Sequence, residues 1–123
     1  MASRTANFCL DAHDPRAQAA WWAQVLDDFV PLEDGDEDEA GLRGPAGREM
    51  LFLRVPEAKT VKNRLHLDFR PAPVDGQARE ATQAVEVERL ESLGAVRAQV
   101  GQDDADVSWV VLADPEGNEF CVL

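Results

Sequence analysis

A chain of 123 residues holds one domain of ordinary size, enough to bury a single core but not two independent ones. Its composition, 45% hydrophobic and 29% charged, is that of a globular protein, and no apolar run nears the ~20 residues that a membrane span needs. A net charge of −12 argues against nucleic acid as a partner, because such binding rests on Lys and Arg neutralising phosphates.

The N-terminal stretch MASRTANFCLD lacks the apolar middle of a secretory signal, so the expected location is cytoplasmic. Strand alternation starts at NFCLDA (7–12), with Phe8, Leu10 and Ala12 on one face and Asn7, Cys9 and Asp11 on the other. Asp14-Pro15 then supplies a capping carboxylate and a proline at the first helical position. The helix that follows carries an apolar stripe of Ala17, Trp21 and Val25, flanked by Trp22, Leu26 and Phe29. Three short strands are expected next, at 29–33, 40–44 and 48–55, separated by the acidic run EDGDEDEAG (33–41). Asp34, Asp36 and Asp38 imitate the start of a calcium-binding loop, but Glu39 stands where the turn needs glycine and Pro45 where it needs its closing glutamate. That run reads as a solvated loop.

After a linker at 56–63, RLHLDFR (64–70) alternates again, with Leu65, Leu67 and Phe69 opposite Arg64, His66, Asp68 and Arg70. A second helix over 78–93 has the stripe Ala84, Val87, Leu90 and Leu93 and stops at Gly94. Strands at 95–100, 107–113 and 118–123 complete the chain, the last two joined by the turn Pro115-Glu116-Gly117. Trp109 lies on a strand apolar on both faces, so its orientation is open between a pocket wall and the core.

Strand, helix, three strands therefore occurs twice. Pro45, Gly47, Glu49 and Leu53 recur as Pro115, Gly117, Glu119 and Leu123, and this P-x-G-x-E-x-x-x-L skeleton aligns Leu51 with Cys121. The predicted class is α+β, a single domain spanning 1–123 built of two βαβββ modules, about 6–56 and 63–123. Cys9 and Cys121 are too far apart for a C-x-x-C motif and are expected to be reduced and buried. No phosphate loop, dinucleotide fingerprint or hydrolase elbow is present.

The paired modules, with NRLHLDF, ERLESLGA and WVVLADPEGNEFCVL, resemble the vicinal oxygen chelate (VOC) superfamily, the glyoxalase/bleomycin resistance/dioxygenase group, and within it the glyoxalase-like domain proteins. The resemblance covers nearly the whole chain. It implies sheets curled around a concave cavity, often in a homodimer, and, in metal-using members, a divalent ion held by one residue from the first and last strand of each module. Carried over by residue, those places fall at His66, at Cys121, where relatives have Glu, and at Leu51. In the first strand, counting back from Asp14 gives Asn7, whereas matching LD at 10–11 to LD at 67–68 gives Cys9.

Leucine cannot ligate a metal, and the oxygen-donor set suited to nickel, manganese or iron is missing. No cofactor is expected; if a divalent metal binds at all, its ligands are His66, Cys121 and Glu119. Alternation places Asn7, Cys9, Asp11, Arg64, His66, Asp68, Arg70, Glu119 and Cys121 on the concave side. These groups either satisfy one another in a structural network or bind a small molecule, and a curled sheet with a polar inner face favours the second. The expected ligand-binding set is Asn7, Cys9, Asp11, His66, Asp68, Trp109, Glu119 and Cys121. His66 is the candidate acid or base, since histidine ordinarily titrates nearest neutrality. Three functions remain open: metal-free small-molecule binding, by analogy with antibiotic-sequestering VOC proteins; a lyase or isomerase using His66 with Cys121 or Glu119; and a structural or regulatory interaction module, favoured if the cavity is filled by its own side chains.

Overall fold

A computed structural model describes residues 1–123, and the backbone forms two compact units, Met1–Ala58 and Lys59–Leu123. The first contains β1 (Asn7–Ala12), α1 (Pro15–Val25), β2 (Val30–Pro31), β3 (Glu39–Arg43) and β4 (Glu49–Arg54). The second contains β5 (Leu67–Phe69), α2 (Arg79–Ser92), β6 (Val96–Arg97), β7 (Val110–Ala113) and β8 (Glu119–Val122). Each is the expected strand, helix and three strands, although the strands at 64–70, 95–100 and 107–113 are shorter than their apolar patterns suggested. Their sheets have the orders β1-β4-β3-β2 and β5-β8-β7-β6. In both, the first strand runs parallel to the last, a pairing that requires a long crossover, which the helix begins.

Local chemistry sets the helix ends. The Asp14 carboxylate accepts the Ala17 N–H at 3.1 Å, and Pro15 opens α1. At the far end of α2 the Ala95 N–H returns to the Leu90 carbonyl at 3.0 Å around Gly94, whose φ of 111° is open to glycine. The buried stripes are rotated from those expected. On α1 they comprise Pro15, Gln18, Ala19, Trp21 and Trp22, while Ala17 is exposed; on α2 they comprise Gln83, Val87 and Leu90, with Ala84 exposed. Two glutamines displaced two alanines because a buried amide with partners is stable: Gln83 Nε2 donates to the carbonyls of Ser108 at 2.8 Å and Val122 at 2.9 Å.

Phe8 and Leu65 also differ from expectation. Phe8, expected beneath a helix, is 45% exposed near the start of an edge strand, and Leu65, at 65%, precedes β5 rather than belonging to it. The core of the first unit is instead Trp22, Leu42, Met50 and Phe52, and that of the second Leu90, Leu112, Phe120 and Val122.

The repeat is real in the ladders. Gly41 faces Leu51 and Val111 faces Cys121, so the skeleton's alignment holds strand for strand. Cys9 pairs with Leu51 and Asp68 with Cys121, so Cys9 and Asp68 are equivalent. Two residues earlier in each chain, Asn7 is the counterpart of His66, and the matching LD dipeptides are out of register. The turns before β4 and β8 both place glycine at positive φ, 72° at Gly47 and 91° at Gly117.

Replacing Gln83 with leucine is expected to lower the unfolding free energy by about 1–3 kcal/mol despite adding apolar surface, since it orphans two carbonyls. Urea denaturation of Gln83→Leu would measure this, and an unchanged or raised midpoint would contradict it.

Candidate functional site

The second unit's sheet has one face under α2 and one lining a cleft. Leu67, Phe120 and Leu112 form a row of the buried face, and Asp68, Cys121 and Val111 form the next row on the opposite face. Trp109 and Leu123 extend that second face along their strands. Together with Lys62, Asn63, His66, Val100, Gln102 and Glu119 they bound a cavity of about 160 Å³. Its size matches a single-ring molecule, since a dry cavity of about 150 Å³ accommodates benzene. Trp109, whose orientation the sequence left open, is a wall of this cavity, and its indole N–H donates to Gln102 Oε1 at 3.0 Å.

Glu119 ties the segment that precedes β5 to the sheet. Its Oε1 accepts from Lys59 Nζ at 2.8 Å and its Oε2 from the Asn63 N–H at 3.0 Å. Burial works against its ionisation, but the Lys59 ammonium, the Asn63 N–H and its own N–H outweigh that, and the carboxyl titrates below its ordinary value. The pair is about four-fifths buried on both sides, so it is screened less than a surface ion pair. This explains Lys59 and Asn63, for which strand alternation offers no reason: they hold down the segment that brings Lys62 to the cavity rim.

Cys121 lies on the cavity floor. Burial first, and then the charge and hydrogen bond of Asp68, push its thiol up to about 11, with Lys62 opposing. The thiol donates to the Asp68 carboxylate. At neutral pH only about one molecule in ten thousand would carry the thiolate, so Cys121 is a poor nucleophile.

Five of the expected site residues, His66, Asp68, Trp109, Glu119 and Cys121, thus line one cavity. Arg64 and Arg70, expected on its inner face, are exposed and line none of it. Asn7, Cys9 and Asp11 are exposed on β1 of the first unit. There Leu51 packs over Gly41, where a Cβ would lie 2.7 Å from Leu51 Cδ2 and 3.3 Å from Leu32 Cδ1. His13 lies with Asp38, Arg54, Val55 and Pro56 along a shallow groove of that unit. In the acidic loop, Asp36 Oδ1 accepts the N–H groups of Asp38 and Glu39, both at 2.9 Å, which makes it a turn former. Sequence reasoning missed Val100, Gln102, Val111 and Leu123 as cavity walls. Only Val111 and Leu123 had a signal, their alternation with Cys121 and Trp109.

The residues do not fit a metal centre. No group of three or more His, Cys, Asp or Glu side chains converges as an ion would require. Leu51 is apolar, and Glu119 is engaged with an ammonium.

The chain matches the glyoxalase-like domain family over residues 7–123 and belongs to that family. No curated protein matches it. Among solved structures it is similar to a "possible glyoxalase" from Bacillus cereus, with 16% identity, 99% of each chain covered and a TM-score of 0.70. It is also similar to a glyoxalase/bleomycin resistance protein/dioxygenase family enzyme from Burkholderia phytofirmans PsJN, with 20% identity, 98% of this chain and 97% of that one covered, and a TM-score of 0.69. A third likeness is to the genomically encoded fosfomycin resistance protein FosX from Listeria monocytogenes, complexed with Mn(II) and sulfate. There the identity is 13%, 99% of this chain and 90% of that one are covered, and the TM-score is 0.67. The fold is therefore that of the VOC superfamily.

Glu119 has a lower pKa folded than unfolded, so its stabilising effect is complete above the ordinary value of 4.5 and is lost as pH falls through the folded value. Glu119→Gln is expected to remove that part of the acid-side slope, seen as a melting temperature that falls less steeply with acid than in the wild type. Alkylation by iodoacetamide at neutral pH should reach the exposed Cys9 well before the buried Cys121. Peptide mapping should also show Asp68→Asn shifting the Cys121 alkylation profile to lower pH, away from about 11; an unshifted profile would refute the Asp68 contact.

Proposed function

We propose that this protein binds a small organic molecule in the cavity of its second unit and does so without a complete metal site, as a cytoplasmic homodimer. One observation carries the reading: β5, β7 and β8 leave a cleft of about 160 Å³ that joins an apolar wall to several polar groups. Trp109, Val111 and Leu123 supply contact area, and His66, Asp68 and Lys62 supply the polar contacts that orient a ligand.

A lyase or isomerase centred on His66 has less support. Its partners would be Cys121 and Glu119, and neither is poised to help: one is held as a thiol, the other is engaged by Lys59. In the binding reading His66 contributes one contact among several, so His66→Ala weakens ligand binding a few-fold and leaves the cavity competent.

Native mass spectrometry of protein purified without chelator or metal-affinity resin tests this. A metal-free dimer, with a small organic mass retained on part of it, is the expected spectrum. One divalent ion per subunit would overturn the metal-free reading and promote the enzyme.

A further inference from the structure

Charge does not choose the ligand of this cavity. Lys62 and Asp68, one of each sign, are exposed to solvent, and Glu119 is paired with Lys59 at 2.8 Å. An ion pair made with an exposed group gains little, while a charged ligand gives up hydration on entering a cleft walled by Val100, Trp109, Val111 and Leu123. A neutral ligand avoids that cost, and its orientation falls to the partly buried polar groups Asn63, Gln102, Trp109 and Glu119.

Two of these four are already committed. Both Glu119 oxygens are engaged, by the Lys59 ammonium and the Asn63 N–H, and the Trp109 indole N–H donates to Gln102 Oε1 at 3.0 Å. The Asn63 side-chain amide carries both a donor and an acceptor, so it does not discriminate between acceptors and donors on a ligand. Gln102 differs. An indole nitrogen can only donate, so the Gln102 amide must turn its oxygen toward Trp109, and its Nε2 hydrogens are what it offers to a ligand. Its backbone is held as well: Gln99 Oε1 accepts the N–H groups of Gly101 at 2.9 Å and Gln102 at 3.2 Å, around a Gly101 φ of 83°. Gln102 is thus a donor of fixed direction beside an aromatic wall.

From this juxtaposition we infer that the cavity selects neutral single-ring molecules carrying a hydrogen-bond acceptor, such as an aryl carbonyl, with the acceptor on Gln102 Nε2 and the ring against Trp109. This deepens the binding reading above and rests on it.

NMR titration of the isotope-labelled full chain with acetophenone, toluene and benzoate, following the Trp109 indole and Gln102 side-chain amide signals, tests the inference. Toluene is expected to move the indole signal alone, acetophenone to move both, and benzoate to bind about tenfold more weakly than acetophenone. Gln102→Met keeps the side-chain length and removes the donor, so it should weaken acetophenone about fivefold and leave toluene unchanged. Trp109→Phe keeps an aromatic wall but lets the Gln102 amide rotate. Read from the backbone signal of Val111, that variant should lose affinity for acetophenone relative to toluene, which keeps the inference testable should the Gln102 variant fold poorly. An unmoved Gln102 amide with acetophenone bound, or equal losses for acetophenone and toluene in the variants, would mean that Gln102 only shapes the wall and would overturn the inference. Benzoate binding as tightly as acetophenone would overturn the preference for neutral ligands. Each of these results leaves the small-molecule pocket standing, whereas if none of the three probes binds, the binding reading falls too.

Discussion

Each unit depends on its first strand lying parallel to its last. The parallel ladder cannot be closed by a tight turn, so the chain must leave β1 or β5 and cross as a helix. It then returns through two antiparallel strands before it can pair. The turn before the final strand must therefore deliver that strand in one register. Glycine at positive φ does this in both units, at Gly47 and Gly117. In the second unit the Asp114 carboxylate adds to it by accepting the N–H groups of Glu116 and Asn118, both at 2.9 Å. The first unit has Gly44 at the equivalent place, where a Cβ would lie 2.5 Å from the Phe29 ring, so an aspartate has no room there. The same turn is stabilised by side-chain hydrogen bonds in one unit and by ring packing in the other.

That shared frame makes the differences between the units informative. At equivalent ladder positions the first unit sets Leu51 against Gly41 and the second sets Cys121 against Val111. Leucine over glycine packs closely, with Leu32 adding to the contact, and leaves no room beside Gly41. Cysteine is shorter than leucine, and beside it Asp68 and His66 present polar groups that cannot pack as leucine does. The cleft opens in the second unit for that reason. Its electrostatics come from the ladder too, because Asp68 is opposite Cys121 only in the observed register, and one carboxylate next to one thiol keeps both in place.

The fold was legible in the sequence where local physics decides it. The cap at Asp14-Pro15, the stop at Gly94, the strand over 7–12 and the P-x-G-x-E echo each have a short-range cause, and all reappear in the structure. The stripes were harder to read. Gln18 and Gln83 lie outside the apolar stripes, but a glutamine can enter a core when carbonyls are waiting for its amide, as those of Ser108 and Val122 are for Gln83. Phe8 and Leu65 looked apolar and were assigned to the core, but an edge strand and a bend leave them open to solvent.

By itself the sequence determined that the chain folds as two copies of one βαβββ pattern, and that Leu51, the repeat's counterpart of Cys121, carries no donor atom. Periodicity, capping and the absence of a donor atom are properties of residue type and spacing. Tertiary structure alone decided which of the polar groups meet. Lys59 lies sixty residues from Glu119 and Gln102 seven from Trp109, and neither pairing follows from alternation within a strand. Ladder register made Asn7 rather than Cys9 the counterpart of His66 and set Asp68 beside Cys121. Which side chains converge depends on contacts between segments apart in the chain, and these exist only once the chain has folded.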